Sequence, residues 1–213
     1  MQPYYQQDGV TIYHGDSREI LPSIPTVGLV ATDPPYSSNR PEGEFAATGN
    51  IAVILHEASA KAETMAVFGT SSGRGIEFIR SSVRRLPHCR VLAWNRRYVN
   101  SAAAGPWRWD LVLIHVFGKG AFGRPQQSSL LTTDGTQRLA KQTGHKAPVP
   151  VEVFQWIAQP FTGAILDPFM GSGSSLLAAR ALGREAIGIE INERYCEIAA
   201  TRLSQGVLGG ASA

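Results

Sequence analysis

The sequence predicts an α/β fold, a doubly wound sheet with helices packed on both faces. Three observations predict it. Seven short apolar runs recur along the 213 residues. Several are continuous rather than alternating, as in strands covered on both sides. Helical patterns lie between some of them, and strand-helix alternation is the signature of this class. The length suits one well-buried domain, expected over residues 1–213, with a small basic insertion around 96–144.

The runs come in order. Val10–Tyr13 precedes His14-Gly15-Asp16, and Gly28–Thr32 runs into Asp33-Pro34-Pro35-Tyr36. Ala66–Phe68, Val91–Trp94 and Leu111–Val116 follow. Ala164–Leu166 leads into Asp167-Pro168-Phe169-Met170-Gly171-Ser172-Gly173, and Ala186–Ile189 stops at Glu190. Ile76, Ile79, Val83 and Leu86 share one helical face, with Arg80 and Arg84 on another. Ser174–Leu182 reads as a helix stopped by Gly183. The stripe of Cys196, Ala199, Ala200 and Leu203 ends before Gly206. Ser37–Asn50 and the polar, basic Gly118–Gly144 read as loops, the second long enough to be functional. No internal repeat is evident.

Met1-Gln2-Pro3-Tyr4-Tyr5 lacks the basic and apolar regions of a signal peptide, and no apolar run approaches the roughly 20 residues a bilayer requires. Cys89 and Cys196 make no metal-ligand spacing and read as reduced packing residues of a cytoplasmic protein. The net charge of +3 hides an asymmetry: residues 71–146 carry 13 Lys and Arg against 3 acids, and the remainder 7 against 14. A basic middle with Trp94, Tyr98, Trp107 and Trp109 among its arginines points to nucleic acid.

Four acids, Asp16, Asp33, Asp167 and Glu190, each follow a strand run. An open α/β sheet binds ligands outside the carboxyl ends of its strands, so four carboxylates there can face one crevice. Each one alone can equally be the cap of the next helix. Gly171 and Gly173 permit close backbone approach, and Ser174 opens a helix. An acid about 20 residues beyond a glycine turn suits ribose hydroxyls, a role for Glu190. Leu176 stands where a dinucleotide fingerprint would want a third glycine, which disfavours an oxidoreductase. In Asp33-Pro34-Pro35-Tyr36 the prolines stiffen the backbone and leave carbonyls as acceptors. A carboxylate and a carbonyl can then hold both hydrogens of an exocyclic amine, beside a ring on which an extruded base stacks.

These motifs resemble those of the amino-methyltransferases that modify DNA bases with S-adenosylmethionine, yielding S-adenosylhomocysteine. The resemblance runs from about Tyr4 to Leu208. It implies a Rossmann-like fold, a seven-stranded, mostly parallel sheet with one antiparallel strand and a circularly permuted motif order. Catalytic motif first and cofactor turn last is the order of the family's beta group, and the size is like small phage or prophage enzymes without a partner nuclease. The resemblance assigns Asp33, Pro34, Pro35 and Tyr36 to catalysis. Asp167, Pro168, Phe169, Gly171, Ser172, Gly173 and Ser174 would line the cofactor site, Glu190 would bind its ribose, and Asp16 would lie near its adenine. His145 and Lys146 would be further cofactor contacts, although Ala147 interrupts the family's Lys-Pro. Arg96, Arg97, Arg108, Lys119 and Arg124 are the expected nucleic-acid contacts.

In this family Asp at the first motif position goes mostly with adenine and Ser with cytosine, so Asp33 favours the N6 amine of adenine over the N4 amine of cytosine. An RNA methyltransferase and a non-catalytic nucleic-acid-binding module are the alternatives of other classes. The small insertion predicts a short or relaxed recognition sequence, or a homodimer that shares the work. No metal is expected.

Overall fold

Leu29, Val30, Ala31 and Thr32 are all buried, as a strand clad on both faces requires. Leu29 and Ala31 join one apolar cluster with Val153, Phe154, Leu176, Ala199 and Leu203, while Val30 joins a second with Ile20, Ile54, Leu55 and Ile79. Successive side chains of a strand point to opposite faces, so one sheet separates two cores. A computed structural model describes residues 2–36, 48–69, 73–96, 111–118, 128–133, 140–141 and 148–208.

Its strands are β1 (Tyr5–Gln7), β2 (Val10–His14), β3 (Leu29–Thr32), β4 (Thr64–Gly69), β5 (His88–Asn95), β6 (Leu111–Gly118), β7 (Leu130–Thr132), β8 (Ile165–Asp167) and β9 (Ala186–Glu190). They form one sheet in the order β1-β2-β9-β8-β3-β4-β6-β5-β7. From β2 to β4 all pairings are parallel; β6 is antiparallel to both its neighbours, and β1 is antiparallel to β2. The helices are α1 (Ser17–Ile20), α2 (Thr48–Ala58), α3 (Gly73–Ser82), α4 (Val151–Ala158), α5 (Ser174–Ala181) and α6 (Glu193–Leu208). Residues of α1, α2 and α3 cover one face, and residues of α4, α5 and α6 the other.

The fold class is as expected, but the described residues hold nine strands rather than seven. All seven apolar runs are strands. The additional β1 and β7 are three residues each, lie at the two sheet edges and are largely exposed. Such edges are held by backbone pairing and leave little hydrophobic pattern.

The helix on Ile76 and Ile79 ends at Ser82, so Val83 and Leu86 lie beyond it, Val83 still buried. The last helix runs through Gly206 to Leu208. Thr48 opens a helix inside the expected Ser37–Asn50 loop, and residues 37–47 lie outside the described residues. β7 crosses the expected Gly118–Gly144 loop, most of which is likewise outside them. Among the described residues no helix is long and apolar enough to cross a membrane. The two cysteines are unbridged, Cys196 buried and Cys89 partly so.

Candidate active site

Strand register brings the four acids to one edge. His14 of β2 pairs with Glu190 of β9, Gly188 of β9 with Asp167 of β8, and Leu166 of β8 with Val30 of β3. All four strands are parallel, so Asp16, Glu190, Asp167 and Asp33 gather at their carboxyl ends, the usual ligand edge of such sheets.

Asp167 is 1% exposed and its carboxylate is engaged. The hydroxyl of Thr32, itself fully buried, donates to Oδ1 at 2.7 Å, and the Phe169 N–H donates to the same oxygen at 3.0 Å. The nearby Ser175 hydroxyl also favours the ionised form, without reaching hydrogen-bond geometry. Burial outweighs these contacts and lifts the Asp167 carboxyl to about 6. Asp33, partly buried at the end of β3, is lifted further, to about 7, by burial and then by the charge of Asp167; Arg96 offsets part of this. Carboxyls in dry surroundings with a like neighbour resist ionisation.

Pro34 is buried, and its carbonyl accepts the Tyr36 N–H at 2.9 Å. This oxygen, expected from the sequence to be free, gives one lone pair to the turn and keeps the other. The Tyr36 hydroxyl donates to the Phe68 carbonyl at 2.8 Å, at the end of β4, and the Phe78 ring of α3 meets its ring edge-on at 6.3 Å. With the hydroxyl anchored, the ring is what this residue offers. Burial and Asp33 push its pKa well above 10.

The glycine turn is held from two sides. Gly171 (φ 51°) and Gly173 (φ 80°) are left-handed, and Gly173 caps α5. A Cβ at Gly173 would lie 2.8 Å from the Ala199 Cβ, so glycine is required there. Glu190 accepts the Gly171 N–H at 3.0 Å and the Asn192 N–H at 2.9 Å, one on each carboxylate oxygen. Burial raises its pKa against these two contacts. Behind the turn, Arg202 of α6 donates to the Ser172 carbonyl at 2.5 Å and reaches the hydroxyls of Ser172 and Ser174 at 3.3 and 3.4 Å. Those two side chains therefore face α6. The buried Ser17 hydroxyl donates to the Pro168 carbonyl at 2.6 Å, joining the turn to the end of β2.

Asp16 has a local occupation: it caps α1 by accepting the Arg18 N–H at 2.9 Å, and it pairs with the Arg18 guanidinium at 2.5 Å. These hydrogen bonds lower its pKa. Arg96 lies partly buried, 5.9 Å from the Trp94 ring centroid, and its charge is felt at Asp33. Trp94 is a core residue, 3% exposed, with its indole N–H on the Thr133 hydroxyl at 2.9 Å. Arg97, Tyr98, Trp107, Arg108, Trp109, Lys119, Arg124, His145 and Lys146 lie outside the described residues. Among the described residues no group of three or more His, Cys, Asp or Glu is placed to hold a metal. Sequence reasoning passed over Thr32, Ser17 and the contact made by Arg202. Thr32 carried a signal, a hydroxyl at the end of an otherwise apolar strand; Ser17 and Arg202 depend on long-range geometry.

A family model described as DNA methylase, of the N6/N4 methyltransferases, matches residues 94–201, just over half the chain. The chain belongs to this family. Among curated relatives, the type II methyltransferase M.ScaI of Streptomyces caespitosus is 24% identical over 267 aligned positions, 95% of this chain and 84% of that protein. The crystal structure of the M1.HpyAVI–SAM complex superposes with a TM-score of 0.72 at 23% identity, covering 91% of this chain and 98% of the other. PvuII DNA methyltransferase, cytosine-N4-specific, superposes with a TM-score of 0.68 at 20% identity, covering 94% and 88%. At these identities the structures establish a shared fold, the Rossmann-like methyltransferase architecture.

Proposed function

We propose that the chain transfers a methyl group from S-adenosylmethionine to the exocyclic N6 amine of adenine in DNA. The observation that carries this reading is the meeting of Asp33-Pro34-Pro35-Tyr36 with the Gly171–Gly173 turn at neighbouring strand ends, tied by the Thr32–Asp167 hydrogen bond at 2.7 Å.

The residues suit such a cofactor. Asp33 and Asp167 are lifted to about 7 and about 6 by burial, and a ligand bearing sulfonium and ammonium charges compensates carboxylates of that kind. When bound, S-adenosylmethionine supplies an electrophilic methyl group. Gly171 and Gly173 give the backbone its close approach, and each oxygen of Glu190 keeps lone-pair capacity for a ribose hydroxyl. Asp33 as carboxylate and the remaining lone pair of the Pro34 carbonyl hold the two amine hydrogens. Holding both turns the nitrogen lone pair out of conjugation with the ring. Tyr36, fixed through its hydroxyl, presents a ring on which the extruded base stacks. The work is positioning and electrostatics, with no covalent enzyme intermediate. Asp33 need not be a strong base, because the amine becomes acidic only after methylation.

Exposed Arg74, Arg80, Arg84, Arg85 and Arg90, on α3, the stretch after it and β5, support a polyanionic partner. The 96–144 segment is the proposed recognition insertion, small enough to favour a short sequence or a homodimer. The proposed setting is the cytoplasm, on DNA. The similarity to a cytosine-N4-specific enzyme keeps N4-cytosine as the second reading. Incubation with DNA and isotope-labelled cofactor, followed by digestion and mass spectrometry, tests both. Labelled N6-methyladenine supports the proposal, N4-methylcytosine replaces it with the second reading, and undiminished transfer by an Asp33→Ala protein refutes the catalytic assignment.

A further inference from the structure

Thr32 precedes the catalytic motif and has no role on the amine or the cofactor in the chemistry described above. It lies at the end of β3, fully buried, and its hydroxyl reaches Asp167 across a separation of 135 residues in sequence, at 2.7 Å. Asp167 in turn accepts the Phe169 N–H at 3.0 Å, so one carboxylate oxygen holds the catalytic strand and the first bend of the glycine turn together. Thr32 is bonded in the chain to Asp33, and Phe169 lies two residues before Gly171. A shift of either motif along its strand breaks this contact together with the β3–β8 backbone pairing.

We propose that Thr32 is a positioning residue, whose hydroxyl couples the amine-holding end of β3 to the cofactor turn through Asp167. The coupling rests on the methyl-transfer reading given above. A threonine carries out this role where valine would pack equally well, because only the hydroxyl can satisfy an acceptor that is sealed from water. Losing it leaves Asp167 with the Phe169 N–H and the weaker influence of Ser175. The charged and titratable groups that face this pair among the described residues are Asp33 from β3, Glu190 from β9, and Arg96 and Tyr36 near Asp33. Three of them are carboxyls counting Asp167, so a disturbance of one is felt by the others.

The test compares Thr32→Val, which keeps the shape, with Thr32→Ser, which keeps the hydroxyl. Three quantities are read: carboxyl titrations of the ligand-free proteins by carbon-detected NMR, cofactor affinity by calorimetry, and single-turnover methylation across pH 5 to 9. In Thr32→Val the Asp167 titration moves to higher pH, because a hydrogen bond to its charged form is gone. The rate at saturating cofactor and DNA falls about tenfold, the acid limb of the pH profile moves the same way, and cofactor affinity falls less than the rate. Thr32→Ser recovers all three. A merely structural role lowers the melting temperature and moves the Asp167 titration, but leaves turnover and its acid limb at the wild-type values. Thr32→Val with wild-type turnover and an unmoved acid limb, beside a wild type that methylates DNA, refutes the coupling alone, whether or not the Asp167 titration moves. A wild type that methylates no DNA refutes the underlying reaction and the coupling with it.

Discussion

Asp33→Asn removes a titrating carboxyl while preserving its shape, and in the ligand-free protein it should show in the pH dependence of stability. Burial and the charge of Asp167 raise Asp33 from 3.8 to about 7, against a smaller lowering by Arg96. A carboxyl whose folded-state pKa lies above its unfolded value holds its proton more tightly when folded. Its contribution therefore falls as pH rises between the two values, and the loss is complete above the folded pKa. Each pH unit is worth about 1.4 kcal/mol, so the interval from pH 5 to pH 7 costs the wild type roughly 2–3 kcal/mol through Asp33, partial exposure trimming it toward the lower figure. Urea denaturation of the ligand-free proteins at pH 5, 6, 7 and 8 measures this. Asp167, lifted to about 6, loses stability in an overlapping window, and because its charge acts on Asp33 the difference between the curves reports the coupled pair. The Asp33→Asn protein should be the more stable at pH 8, and added cofactor should flatten the wild-type slope by favouring the carboxylate. Parallel stability curves from pH 5 to pH 7 would refute the picture of a dry, repelled carboxyl at the end of β3.

Three further outcomes are expected. Tyr36→Phe loses the 2.8 Å bond to the Phe68 carbonyl, which should cost about 1 kcal/mol of stability; steady-state kinetics should show methylation reduced less than tenfold, against a far larger loss for Tyr36→Ala. Gly173→Ala forces a side chain onto backbone at φ 80° and onto Ala199, so it should cost about 1–3 kcal/mol in thermal unfolding and weaken cofactor binding in calorimetry. Replacing Arg74, Arg80 and Arg84 together by Ala should make the slope of log affinity for DNA against log salt shallower by up to about 3, with cofactor affinity unchanged.

The site was legible where the chemistry is local. Asp33-Pro34-Pro35-Tyr36 and the Gly171–Gly173 turn are contiguous, and each follows an apolar strand that the sequence marks plainly. Helices α2 and α4 were passed over although Ile51, Ile54, Leu55 and Ala58, and Val153, Phe154 and Ile157, carry a helical period. The first was masked by the polar stretch before it, and the second follows Pro148 and Pro150, which read as loop. Trp94 belongs to the aromatics lying among arginines that point to nucleic acid, yet its ring turns into the core against Phe68, with Arg96 reaching over it. The contacts of Thr32, Ser17 and Arg202 join segments distant in sequence, and no local pattern encodes such partners.

The sheet order has a consequence for biosynthesis. β2 and β3 follow one another in the chain yet stand apart in the sheet, with β9 and β8 between them. A growing polypeptide therefore carries a two-strand slot through most of its synthesis, with both rims unpaired and apolar. The strands synthesised late enter it like a keystone, and only then does Asp167 reach Thr32. Pairings this distant in sequence form slowly, and unpaired apolar strand edges are aggregation-prone until the slot closes.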